Sequence, residues 1–162
     1  MTDIAGPVQP AWSFPSVGRW GVSVLPNGWM FVAEFGIRQV TTDSRQIAAN
    51  VSVGEDSLQD VSGLPEYIAA QSRLIGEALK DARMAGPQPS TFPGAEESYL
   101  FMVRHNPEGL VDMLHVQTYV RVGLWVGIIT LTTVESYLKQ IRPDYEAFLK
   151  GLRILPVNRQ GS

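Results

Sequence analysis

Between Leu110 and Thr133 the chain reads LVDMLHVQTYVRVGLWVGIITLTT, an apolar run with one obvious break at Val122-Gly123. Folded back there as a two-residue turn, the run predicts a long β-hairpin in which Arg121 faces Leu124, Gln117 faces Ile128 and His115 faces Thr130. Side chains alternate across a strand, so the hairpin has two unlike faces. One carries Leu114, Val116, Val120, Trp125, Ile129 and Leu131 and is a core. The other carries Met113, His115, Gln117, Tyr119, Val126, Ile128, Thr130 and Thr132, and is neither a solvent face nor a core.

The rest of the chain reads in the same terms. The aromatic-rich stretch after Trp12 is punctuated by Pro15, Gly18, Pro26-Asn27-Gly28 and Gly36, which predicts short strands over 20–25, 29–34 and 36–40. Ile47, Ala49, Val51 and Val53 alternate with Ala48, Asn50 and Ser52 as a further strand. GLPEYIAAQSRLIGEALKDARM is the clearest helix, with Leu64, Ile68, Ile75, Leu79 and Ala82 on one face, Pro65 in its first turn and Ala85-Gly86-Pro87 as its stop. A short extended piece, a Pro93-Gly94 turn and a strand near 96–104 follow. A five-residue turn over His105–Gly109 puts Tyr99, Phe101 and Val103 on the semi-polar face, and a four-residue turn reverses this. A second helix, interrupted or started by Pro143, buries Tyr145, Phe148, Leu149 and Leu152.

Hairpin-linked strands with helices laid on them predict an α+β domain, an antiparallel sheet with two main helices packed on it. The boundaries are a flexible N-terminal arm over 1–11, a single domain over 12–156 and a C-terminal tail over 157–162.

Composition narrows the function classes. A net charge of −3, from 13 basic and 16 acidic residues spread along the 162-residue chain, makes no basic stripe and argues against nucleic acid. With no cysteine there are no disulfides and no thiolate sites. The N-terminus lacks a basic start and an apolar core, so no secretory signal is expected and the default compartment is the cytoplasm. Charged and polar residues interrupt the longest apolar run, which argues against stable membrane insertion.

Catalytic chemistry finds little support. P-loop, GxGxxG, HExxH and GxSxG patterns are absent. The two histidines, His105 and His115, have only Asp112 and Glu108 near them in sequence, so no metal site is expected. Thr130 opposite His115 has the spacing of a nucleophile and base, which is also that of a common structural pair. Glu96 and Glu97 read as a solvated strand entrance. No catalytic residue and no cofactor are expected. The semi-polar face remains: either a helix or the N-terminal strands cover it, or it lines a groove. In the groove Met113, Tyr119, Val126 and Ile128 give apolar contact, while His115, Gln117 and Thr130 pair with polar groups of a guest.

From about Trp20 to Leu155 the order of these segments resembles a known scaffold. Pro26-Asn27-Gly28-Trp29, NVSVGEDSL before a helix beginning LPEYIAAQ, PGAEESYLF, LHVQTYV, and WVGIITLTT followed by YEAFLKGLRIL are together similar to the PsbP-like α/β/α sandwich, in its DcrB/Eag branch. The resemblance implies a non-enzymatic protein. Eag proteins are cytoplasmic, homodimeric chaperones of type VI secretion effectors, and their sheet surfaces hold the effector's hydrophobic N-terminal transmembrane segments. DcrB-like relatives are envelope lipoproteins, and this chain shows no signal or lipobox cysteine. Two other readings stay open: a small-molecule or lipid-binding protein on the same scaffold, and an interaction protein without a ligand pocket.

Overall fold

The computed structural model describes residues 16–17, 19–32, 36–41, 45–59 and 63–156. The expected arm over 1–11 and tail over 157–162 lie outside them. Ten strands and two helices follow in the order β1 (Ser16–Val17), β2 (Trp20–Val22), β3 (Trp29–Val32), β4 (Gly36–Gln39), β5 (Asn50–Ser57), α1 (Leu64–Ala78), β6 (Arg83–Pro89), β7 (Glu97–His105), β8 (Met113–Val122), β9 (Trp125–Val134), α2 (Leu138–Gly151) and β10 (Leu152–Ile154). Seven strands form one antiparallel sheet in the order β3-β4-β5-β9-β8-β7-β6. The other three, β1-β2-β10, form a small sheet that pairs the front of the chain with its end. The expected α+β class, an antiparallel sheet with two helices on it, is the class observed.

The hairpin forms from β8 and β9, with a register two residues from the expected one. Val122 pairs with Trp125, so the turn is Gly123-Leu124, and Gln117 faces Thr130 rather than Ile128. Gly123 has φ +60° and Leu124 does not share it, which is the pattern of a type II′ turn with glycine in its first central position. A shift of two residues preserves which side each residue faces. Leu114, Val116, Val120, Ile129 and Leu131 accordingly join Trp29, Ile37, Val51 and Val53 in a core closed by Ile141, Tyr145 and Phe148 of α2. The connection from β7 to β8 runs over Asn106–Asp112, and His105 pairs with Met113. Seven residues have the parity of the expected five, so Phe101 and Val103 lie on the side away from α2.

Two helix expectations are corrected. α1 ends at Ala78, not Met84, because Leu79 is extended (φ −120°, ψ 96°) and the chain turns back to pair β6 with the edge of β7. Leu79 and Ala82 still reach the cluster under α1. Pro143 neither starts nor interrupts α2; the helix begins five residues earlier, after a 3-10 turn over Glu135–Tyr137. A proline so near the start forfeits only one early backbone bond.

Trp20 joins the two sheets. It is fully buried, donates from Nε1 to the Gly54 carbonyl at 2.9 Å and meets Trp125 and Phe92 edge to face. Its indole crosses β9 at Gly127, where any β-carbon would collide with the rings of Trp20 and Trp125.

Candidate functional site

The two sides of the large sheet are finished differently. α2 closes one of them. On the other, α1 covers only part: Leu64 and Ile68, both fully buried, press on Phe101, Val103, Tyr119 and Val126, with Leu58 completing the cluster. α1 draws its stability from that contact, since Gly63 at its start offers no side-chain cap. Among the described residues no helix lies over the β3–β5 half of this side.

Register lays out what is left open, because directly paired residues share a side. One row runs Met30, Arg38, Asn50, Thr132, His115, Val103. The next runs Gly36, Ser52, Thr130, Gln117, Phe101, and the third Gly54, Ile128, Tyr119, Tyr99. In the first two rows the β7 end is the most buried: Met30, Arg38 and Ser52 are exposed, Thr130, Thr132, His115 and Gln117 half-buried, and Val103 and Phe101 buried. Ser52, Thr130 and Gln117 thus stand side by side on three adjacent strands. The Gln117 Oε1 accepts the Tyr119 hydroxyl at 2.7 Å, which leaves the Gln117 amide nitrogen and the Ser52 and Thr130 hydroxyls without protein partners among the described residues.

The expected contact residues divide along the edge of α1. Met113, His115, Gln117 and Thr130 lie outside it, and Ile128 is half-buried at its border. Tyr119 and Val126, at 2% and 0% exposure, lie beneath it and present no surface. Burial pushes the Tyr119 phenol up to about 12. Tyr67 of α1 stacks edge-on against it and donates to Asp56 at 2.6 Å; burial first, then that carboxylate, raises its pKa well above the ordinary value. Sequence reasoning missed Ser52, Arg38 and Met30. Asn50 and Ser52 alternate visibly with Val51 and Val53, but nothing local shows that β5 pairs with β9.

Other expectations change too. Thr132, not Thr130, meets His115, with Oγ1 3.0 Å from Nδ1, and the second imidazole nitrogen faces His105 Nε2 at 3.0 Å. Among the described residues no three His, Asp or Glu side chains gather at metal-ligand spacing. Glu96 and Glu97 are not a merely solvated entrance. Both carboxylates converge on Arg121, Glu97 on Nε and Glu96 on Nη1 at 3.0 Å, which fastens the hairpin tip to the start of β7. Proximity to the two carboxylates raises the Arg121 pKa, the hydrogen bond to Glu97 contributing most.

Burial, and secondarily the charge of His105, pulls the His115 pKa below its ordinary 6.5. An unfolded chain therefore takes up a proton below about pH 6.5 that the folded His115 resists, so stability is lost as pH falls through that value. Urea melts at pH 7.5 and 5.5 are expected to show this loss, and His115→Gln to reduce it. Equal losses in the two proteins would assign the effect elsewhere.

Together these features define an α/β/α sandwich of the PsbP-like kind, one side of whose sheet is half-open. Solved structures of that fold include the Pseudomonas aeruginosa protein of unknown function PA94, with TM-score 0.64, 18% identity and coverage of 86% of this chain and 100% of that one. LpqN of Mycobacterium tuberculosis, involved in cell envelope biogenesis, superposes with TM-score 0.59 at 12% identity over 88% of this chain and 82% of its own. CyanoP, the PsbP of Synechocystis, gives TM-score 0.55 at 13% identity over 94% and 98%. No known family profile matches the chain, and no curated protein matches it by sequence.

Proposed function

We propose that this protein is a non-enzymatic, cytoplasmic chaperone or adaptor, working as a homodimer, whose half-open sheet receives a hydrophobic, transmembrane-like N-terminal segment of a secreted effector and carries it toward a type VI secretion system. The row Ser52–Thr130–Gln117 carries this reading. An apolar helix taken out of a membrane satisfies its own backbone, but its small polar residues and terminal groups need partners. Unpartnered hydroxyls and an amide, bordered by Ile128 in the next row, with Met30 and Met113 farther out on the same side, supply hydrogen bonds on a partly apolar surface. The resemblance of its segment order to that of Eag proteins supports the same reading. Among the described residues no helix is long and apolar enough to cross a membrane.

Co-expression with an effector fragment bearing paired apolar N-terminal segments tests it. Gln117→Lys and Thr130→Lys sit at half-exposed positions, so each is expected to fold while weakening capture at least tenfold, as a charge forced against an apolar helix should. Unchanged capture by both variants would sink the site.

A second reading is favoured by one observation. A groove of about 220 Å³ lies between α2 and the sheet, lined by Leu100, Met102, Val116, Leu131 and Leu149 together with Arg142 and Glu146. Such a groove suits a small, mainly apolar molecule. It is smaller than typical ligand sites of about 300 Å³ or more, so this reading stands second.

A further inference from the structure

We infer that His105, His115 and Met113 form a site for a soft monovalent metal ion, Cu(I). The two imidazole planes lie within 10° of parallel with centroids 5.1 Å apart, yet their Nε2 atoms are 3.0 Å apart. Nitrogens that approach so much closer than the centroids belong to rings meeting edge to edge, each aiming Nε2 at the other. His115 holds its other nitrogen against Thr132 Oγ1 at 3.0 Å. With Nδ1–H donated to that hydroxyl, its Nε2 lone pair faces His105, as an imidazole ligand fixed by an outer partner does. Met113 pairs directly with His105 and lies two residues from His115 on the same strand, so its thioether belongs to the same patch.

In the metal-free pair one Nε2–H fills the gap between the rings. Metal–imidazole bonds of about 2 Å put the two nitrogens about 3.5 Å apart in a trigonal site completed by Met113, and about 4 Å apart at the linear limit in which the thioether bonds only weakly. The pair therefore opens by about 0.5–1 Å, and one proton leaves to solvent. His105 ends its strand and borders the Asn106–Asp112 connection, where such a movement meets least resistance. The ligand set selects the ion. Neighbouring carboxylates are committed elsewhere: Asp81 to the Asn106 amide at 2.8 Å, Asp112 to the Asn106 side chain at 3.0 Å, and Glu135 to Arg104 at 2.6 Å. Two neutral imidazoles and a thioether, with no third His, Asp or Glu gathered on them among the described residues, favour Cu(I) over Zn(II) or Mg(II). The assignment does not depend on the effector-segment reading.

Anaerobic titration of the full chain with Cu(I) against a competing chromophoric chelator tests it, with Ag(I) as a redox-silent probe for NMR. One equivalent is expected to bind, at least tenfold more tightly than Zn(II). His105→Gln and His115→Gln are each expected to lower Cu(I) affinity at least 100-fold, and Met113→Leu and Thr132→Val about tenfold. Because the chain has only two histidines, Ag(I) should move both imidazole signals of the unaltered protein, a readout that needs no variant. Unmoved imidazole signals, tighter binding of Zn(II), or a full equivalent of Cu(I) retained by the His105→Gln/His115→Gln double variant would each overturn the site.

Discussion

Trp20→Ala is expected to cost about 3–5 kcal/mol, the range for deleting a buried aromatic ring, and to lower the melting temperature by about 6–20 °C for a chain of this length. The loss should sit at the upper end because three contributions vanish together. The indole fills the space over Gly127, makes two edge-to-face contacts and satisfies the Gly54 carbonyl inside β5. A cavity there borders both sheets, and Trp20 with Val22 are the β2 side chains that enter the main core. Calorimetry decides it, and a fall below 3 °C would mean that the small sheet contributes little.

Ile68→Ala is expected to cost about 2–5 kcal/mol, and its signature should be local. Ile68 is fully buried between α1 and Phe101, Tyr119 and Val126, while the helix has no side-chain cap and only a moderately apolar sequence to sustain it alone. Hydrogen exchange should show α1 amides released far more than those of β8 and β9, whose ladders are backbone bonds continued on both edges. Equal acceleration in the helix and both strands would show that α1 does not open as a separate unit.

The sequence carried the hairpin, the separation of its two sides and the buried stripe of α1, because all three depend on periods of two and of three to four residues that a short window contains. The sides survived an error in register because the displaced turn moved β9 by an even number of residues. The end of α1 was not legible: 79–84 is good helix sequence, and only pairing with β7 draws the following residues into a strand. Nor was the neighbour of β9. Ser52 became part of the candidate site through a pairing with Thr130 nearly eighty positions away, and no local pattern encodes that. Which part of the semi-polar face a helix covers was left open for the same reason: Tyr119 and Val126 lie under α1, while Gln117 and Thr130 do not.

The pairing of β2 with β10 sets Trp20 opposite Ile154 and Val22 opposite Leu152. On a ribosome, the main sheet from β3 to β9 can assemble as the chain emerges, whereas Trp20 must wait for the final strand before its own is completed. Contacts of such separation carry the largest loop-closure cost and come late in folding. During synthesis the nascent chain thus exposes an unseated tryptophan and an uncovered strip of β9 at Gly127, and the interval before β10 arrives is when the chain is most open to non-native association.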